Sequence, residues 1–415
     1  MRVPVSTPPE QGVHGDLGRE VAVARQPIYD RRLNVVGYEL LFRDPGATEA
    51  LVADAVRSTS SVIADVFSVI GLDAVVGDRP AYVKVSREFL LGVHPLPLRP
   101  DRVVLELTEN GIVDAQLIDV LERLTAQGFT IALDDFVYDD SLRRLLELAG
   151  VVKLDVAALG LDGLEQQMTL VTPFRPTIVA KQIETHERFD ACRELGCHRF
   201  QGHFFAKPRI MRGRAMPTRH IAALRSVTEL HGADSLEDLR DIVARDVGLS
   251  YRLLRYINSA FFSLPRAISS IHEALVLLGA RTVQRWAIVM ALSGVEDKPD
   301  ELLLTSLVRA RMCELLSGSA GTPEGDEHFT VGLFSLADAL LDTPMSVIID
   351  QLPFAEDLAA ALLRGDGPKG DVLRRVVAYE RGDFDRAIAT NSGTATVVAY
   401  RDAASWAHEA ARALN

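Results

Sequence analysis

The chain has 415 residues, of which 48% are hydrophobic and 25% charged, a balance that supports a packed core and excludes extended disorder. A formal charge of -12 weighs against a protein that holds nucleic acid through phosphate neutralisation, and no apolar run approaches the roughly 18 residues of a membrane span. Two domains, a cytoplasmic location, no nucleic-acid partner and no membrane partner are therefore expected.

Residues 1–20 are rich in Pro, Gly and polar side chains without a period and read as a flexible leader. From there to residue 208 the chain carries eight short β-branched runs, at 21–28, 35–42, 81–85, 102–107, 130–136, 151–156, 177–183 and 199–205. Segments with helical spacing separate most of them, such as 53–71 and 114–128, the latter closing on Gly128 as a helix C-cap would. Strands alternating with helices predict a largely parallel sheet, and eight of them predict a (β/α)8-like barrel over 21–208. Only residues 29–34 separate the first two runs, whereas a parallel crossover needs about a dozen, so one strand is expected to run antiparallel.

After Pro208 the β-runs stop and amphipathic stretches follow at 235–246, 250–262, 270–279 and 281–294. Ser235 stands as an N-cap with Glu237 and Asp238 in the first turn, which suits the helix dipole. A Gly-, Ser- and Pro-containing loop is expected over 317–328, with helical spacing returning at 329–341. The fold class is thus α/β followed by all-α, with the helical domain over 209–400 and a C-terminal helix or tail over 401–415. Cys192, Cys197 and Cys313 leave one thiol over from any pairing and fit a reducing compartment, and Cys192-x4-Cys197-His198 lacks the second pair of a zinc finger.

The barrel runs carry polar residues where apolar ones are the rule: Glu39, Lys84, Glu106, Asp134 with Asp135, Lys153, Lys181 and Gln201. Burying one charge without a partner costs several kcal/mol, so ionisable groups spread over so many strands are not incidental. In such barrels the chemistry sits at the C-terminal ends of strands, and these residues are expected to converge at one mouth.

The segment RQPIYDRRLNVVGYELLFR (25–43) resembles the opening of EAL-type cyclic-di-GMP phosphodiesterases, with Glu39-Leu40-Leu41-Phe42-Arg43 standing where that family has Glu-Ala-Leu-x-Arg. The segments VLELTE (104–109), ALDDF (132–136), VKLD (152–155), AKQIET (180–185) and QGHFFAKP (201–208) continue the resemblance in order. What it implies is two-metal hydrolysis of one phosphodiester bond, with Glu39, Glu106, Asp134 and Asp135 as retained carboxylates beside Lys153 and Gln201. Two positions depart from the pattern: Lys84 replaces a metal-binding asparagine, and Lys181 replaces a catalytic glutamate. Asn to Lys adds one positive charge and Glu to Lys adds two, so the site is three units more positive than one that binds two dications. An ammonium group donates only and cannot ligate a metal.

The loop Phe136–Ser141 also lacks the glycines of the family's loop over the metal site. Neither hydrolysis, nor a metal, nor any other cofactor is expected; Mg or Mn enters only on the alternative of an active phosphodiesterase producing pGpG. The resemblance implies Gln26, Leu41, Arg43, Glu184 and Gln201 as contacts for cyclic di-GMP, where an arginine fork suits a phosphate. The opposing expectation is a barrel whose acids preserve only an ion-pair lattice and which serves as a docking module.

Residues 253–289 resemble the HDOD domain, a helical relative of HD-type phosphohydrolases, through Asn258-Ser259-Ala260, Pro265, Ile268, Ser270-Ile271 and Ala274-Leu275 with Leu278-Gly279. HD enzymes need an adjacent His-Asp pair, which this chain lacks; at VGLFSLADALL (331–341) the corresponding pair is Ser335-Leu336. His272 and His328 are read as surface or core histidines, and Asn258, Phe261, Phe262 and Trp286 as structural. The chain thereby resembles EAL–HDOD signalling proteins, with protein partners of a signalling pathway and a homodimer as further expectations.

Overall fold

The computed structural model describes residues 22–43, 72–92, 96, 98–108, 113–207, 218–233, 235–264, 266–293, 298–320, 322–388 and 393–414. The helix expected over 53–71 lies outside the described residues. Eight strands close a barrel in chain order: β1 (Ala22–Tyr29), β2 (Val35–Arg43), β3 (Ala81–Lys84), β4 (Val103–Thr108), β5 (Thr130–Asp134), β6 (Val151–Asp155), β7 (Thr177–Lys181) and β8 (Arg199–Gln201). β1 runs antiparallel to both β2 and β8, and every other pair is parallel. The β1–β2 turn is closed by the Asp30 carboxylate, which accepts from the backbone N–H groups of Arg32 and Asn34 at 2.8 and 2.9 Å.

Side-chain period two sorts the interior into layers. Ile28, Tyr82, Val104, Ala132, Val151 and Val179 form a small apolar cluster of their own on the barrel floor. Gly37 shares that layer; a Cβ there would stand 2.8 Å from the Tyr82 ring, so only glycine lets the ring fill the floor. Two residues further toward the mouth on each strand come Gln26, Glu39, Lys84, Glu106, Asp134, Lys153 and Lys181. An apolar floor and a polar storey thus follow from one register.

Every regular element among the described residues of the second half is a helix. Its aromatic centre is Trp286, with ring centroids 4.4 Å from Tyr256, 5.4 Å from Phe261 and 5.7 Å from Trp406. Two sequence expectations are corrected here. A helix runs from Pro323 to Phe334 and so begins inside the stretch expected as loop, because the Thr322 side chain caps it and Pro323 suits its first turn. The C-terminal segment, expected as a helix or tail from 401, is part of a helix that begins at Gly393 and runs unbroken to Leu414.

In a regular barrel each strand is covered by the helix that follows it. Residues 30–34 leave no room for such a helix between β1 and β2, and the outer face of this hairpin meets helices Asp300–Leu316, Gly367–Glu380 and Gly393–Leu414 of the second half. Among the described residues no helix is long and apolar enough to cross a membrane.

Candidate functional site at the barrel mouth

The strand-end residues converge as their spacing predicts. Lys153 Nζ lies 2.5 Å from Glu39 Oε2, 2.5 Å from Glu106 Oε1 and 3.9 Å from Asp134 Oδ1, with all four side chains buried. Lys84 Nζ bridges Glu39 Oε1 at 3.1 Å and Asp134 Oδ2 at 3.0 Å. Lys181 Nζ bridges Asp134 Oδ1 at 2.8 Å and Asp135 Oδ1 at 2.7 Å. Gln201 Nε2 donates to Glu39 Oε2 at 2.6 Å and to Gln26 Oε1 at 2.8 Å, which closes the ring from β8 to β1. Among the buried carboxylate oxygens of this cluster, Glu106 Oε2 alone has neither a hydrogen bond nor an ion pair.

The electrostatics divide the carboxylates. Burial pushes Glu39 up, but Lys153 and Lys84 outweigh it and hold the group at about 2. Asp134 is held at about 2 in the same way, burial being overcome by Lys153, Lys84 and the Lys181 hydrogen bond. Glu106 moves the other way, pushed up to about 7 by burial and by the neighbouring Glu39 charge. All three lysines lie above their ordinary value, because their carboxylate partners overcome the desolvation. They stay charged at neutral pH.

Of the remaining candidates, Leu41 is half-buried at the rim, and the Arg43 side chain lies outside the described residues. Glu184 stands apart from the cluster, paired with Lys207 Nζ at 3.0 Å and facing His203 Nδ1 at 3.6 Å. The loop after Asp135 is anchored sideways: Tyr138 N–H donates to Gln167 Oε1 at 2.7 Å, and the Tyr138 ring packs against Phe174. Gln182, which follows Lys181, holds a left-handed φ of 60°, a conformation that favours glycine.

Elsewhere the polar side chains of interest make local contacts. Asn258 Nδ2 donates to Ile268 O at 2.8 Å while its Oδ1 accepts from Ile268 N–H at 2.6 Å, so the side chain closes a loop. Ser335 Oγ donates to Gly332 O at 2.7 Å and accepts from Arg309 Nη1 at 3.2 Å, and Leu336 is buried. All three cysteines are buried and free, and His198 Nδ1 accepts from Ile178 N–H at 2.9 Å. His328 is buried and His272 exposed.

Sequence reasoning missed a second polar cluster, at the junction of the two halves. Arg25, 6% exposed, meets Glu301, 4% exposed, and Arg309 makes a two-pronged contact with Glu380 at 2.7 and 2.8 Å. The available signal was the helix DELLLTSLVRARMCELL, apolar on nearly every side yet holding Glu301, Arg309 and Glu314, the pattern of a helix buried all round.

The EAL domain family model matches residues 93–208 and the HDOD domain family model matches residues 216–339. The chain is 33% identical over 369 residues to the protein named cyclic di-GMP phosphodiesterase CdgJ of Vibrio cholerae, a match covering 87% of this chain and 85% of that protein. It is 28% identical over 377 residues to the uncharacterized protein YuxH of Bacillus subtilis, covering 88% and 92% respectively. Among solved structures, the c-di-GMP complex of the PaMucR phosphodiesterase aligns at 23% identity with a TM-score of 0.37, covering 49% of this chain and 100% of that one.

Proposed function

The chain belongs to the family of proteins that join an EAL domain to an HDOD domain, and from that premise we propose that it works in cyclic-di-GMP signalling without hydrolysing the nucleotide. One observation carries the reading: Lys84 and Lys181 each hold a pair of carboxylates, at 3.1 and 3.0 Å and at 2.8 and 2.7 Å. Divalent Mg or Mn takes about six oxygen ligands, and the buried oxygens here are already engaged by ammonium groups, except Glu106 Oε2. The donor set does not fit two dications. The barrel is then a charge-neutralised site tied to a helical output domain, located in the cytoplasm and read by protein partners of a signalling pathway.

Purified full-length protein with Mg or Mn is expected to leave cyclic di-GMP intact. Linearisation abolished by Glu39→Ala would overturn the proposal. Calorimetric titration with cyclic di-GMP then separates a receptor from a docking module. Heat that disappears in Arg43→Ala marks a receptor contacting nucleotide through Gln26, Leu41, Arg43, Glu184 and Gln201; no heat at high ligand concentration leaves the docking module.

A second reading, an active cyclic-di-GMP phosphodiesterase, is favoured by the name of the Vibrio relative and by ligand atoms of Glu39, Glu106 and Asp134 lying within 4.8 Å of one another. On that reading these three carboxylates would hold the metal, and the same hydrolysis assay decides between the two.

A further inference from the structure

We infer that the helical domain sets the geometry of the barrel mouth, with Glu301 as the positioning residue that grips β1 and β2 from outside, next to Gln26 and Glu39. Neighbouring residues on a strand face opposite sides. On β1 Gln26 points into the mouth and Arg25 outward; on β2 Glu39 points inward and Tyr38 outward. Gln26 and Glu39 sit directly opposite each other in the β1–β2 register, and inside the barrel Gln201 ties the two together.

Outside, one carboxylate ties the same two strands. Glu301 Oε2 accepts from Tyr38 Oη at 2.6 Å, and Glu301 Oε1 pairs with Arg25 Nη2 at 3.4 Å. The Arg25 guanidinium lies over the Tyr38 ring, 4.5 Å from its centroid, and its Nη1 reaches Val75 O at 2.5 Å and His408 Nε2 at 2.8 Å. Arg25, Tyr38 and Glu301 are all buried, so water cannot substitute for a lost partner.

The edge of β1 points the same way. β8 pairs with β1 only at Ile28 and Tyr29, which leaves the upper part of β1 without a strand on that side among the described residues. The Tyr379 hydroxyl takes that place, accepting from Val23 N–H and donating to Val23 O, each at 3.1 Å. The turn after helix Gly367–Glu380 also touches the rim: a Cβ on Gly382 would stand 2.8 Å from Leu41 Cδ1. Besides β2, the Gln201 amide and the Val75 carbonyl, the upper half of β1 is held by the helical domain. A shift of helix Asp300–Leu316 against the barrel must move residues 25 and 38, and with them Gln26 and Glu39. Coupling of this kind is reciprocal, so a ligand at the mouth would act on the helical domain by the same factor.

The affinity part of this inference rests on the mouth being a cyclic-di-GMP site; the geometric part does not. Two substitutions in the full-length chain test it. Tyr38→Phe removes one hydroxyl and keeps the ring under Arg25, and Glu301→Gln removes the charge at constant size. Three readouts are taken: the Lys153 side-chain NMR resonance in lysine-labelled protein, the calorimetric Kd for cyclic di-GMP, and the thermal midpoint. Both variants are expected to shift the Lys153 resonance and to weaken nucleotide binding by about fivefold or more, with Tyr38→Phe also lowering the thermal midpoint while leaving the protein folded. A Lys153 resonance unmoved in the folded Tyr38→Phe protein overturns the inference, whatever happens to stability. If the wild-type chain gives no heat with cyclic di-GMP, the mouth reading fails on its own, and the resonance still decides the coupling.

Discussion

The barrel mouth and the domain junction each bury several charges, and they neutralise them differently. At the mouth three lysines share four carboxylates, so Glu39 and Asp134 each touch more than one cation. At the junction each charge has a single charged partner among the described residues: Arg309 with Glu380 and Arg25 with Glu301. The mouth also opens to solvent, with the Lys84 side chain 43% and the Asp135 side chain 54% exposed. A shared and partly wet lattice tolerates the loss of one member, whereas an exclusive dry pair does not.

The sharpest break of this contrast pairs two like substitutions. Arg309→Met removes the buried guanidinium from the Glu380 carboxylate, whose side chain is 16% exposed, and is expected to cost about 3 kcal/mol in urea unfolding. Lys84→Met, whose partners keep Lys153 and Lys181, is expected to cost about 1 kcal/mol or less, given its exposure. Equal losses at the two sites would erase the distinction.

The shared lattice also predicts a pH effect. Folded Glu106 keeps its proton up to about 7, while an unfolded glutamate releases it near 4.5, so its contribution is full below pH 4.5 and lost as the pH rises through 7. Glu39 and Asp134, held at about 2, contribute above their unfolded values and lose that only as the pH falls toward 2. Between pH 5 and 7.5 the wild type is therefore expected to lose roughly 1–3 kcal/mol relative to Glu106→Gln. Parallel stability profiles for the two proteins would count against an elevated Glu106. The smallest effect lies beside the junction, where the Tyr29 hydroxyl is buried without a hydrogen-bond partner. Tyr29→Phe should raise stability by about 1 kcal/mol, and a drop of that size would show that the hydroxyl is satisfied after all.

These differences bear on what the sequence could reveal. The mouth was legible because each of its residues interrupts a β-branched run, and period two then forces them onto one face. The reversed first strand was legible because residues 29–34 are too few for any other connection. Arg25 was not, since a charge beside Gln26 looks like a solvated side chain until Glu301, 276 residues on, is placed against it. Tyr379 and Val23 are separated by 356 residues, and no local pattern announces such a contact. The helix at Pro323 was missed for a different reason: a Thr-Pro start was weighed as a loop composition and not as a cap.

The Tyr379 hydroxyl on the rim of β1 has a consequence for what counts as a unit of this protein. An uncovered strand edge is an invitation to intermolecular pairing, and natural barrels avoid it by closing fully. Here β8 closes the barrel on β1 only at Ile28 and Tyr29, and the edge above them is covered by the Tyr379 hydroxyl, contributed far downstream from the other half of the chain. The two family matches meet near residue 210 as neighbouring modules of inheritance. As a folded object the barrel extends into the later helices, and a fragment cut at the family boundary would leave the upper edge of β1 bare.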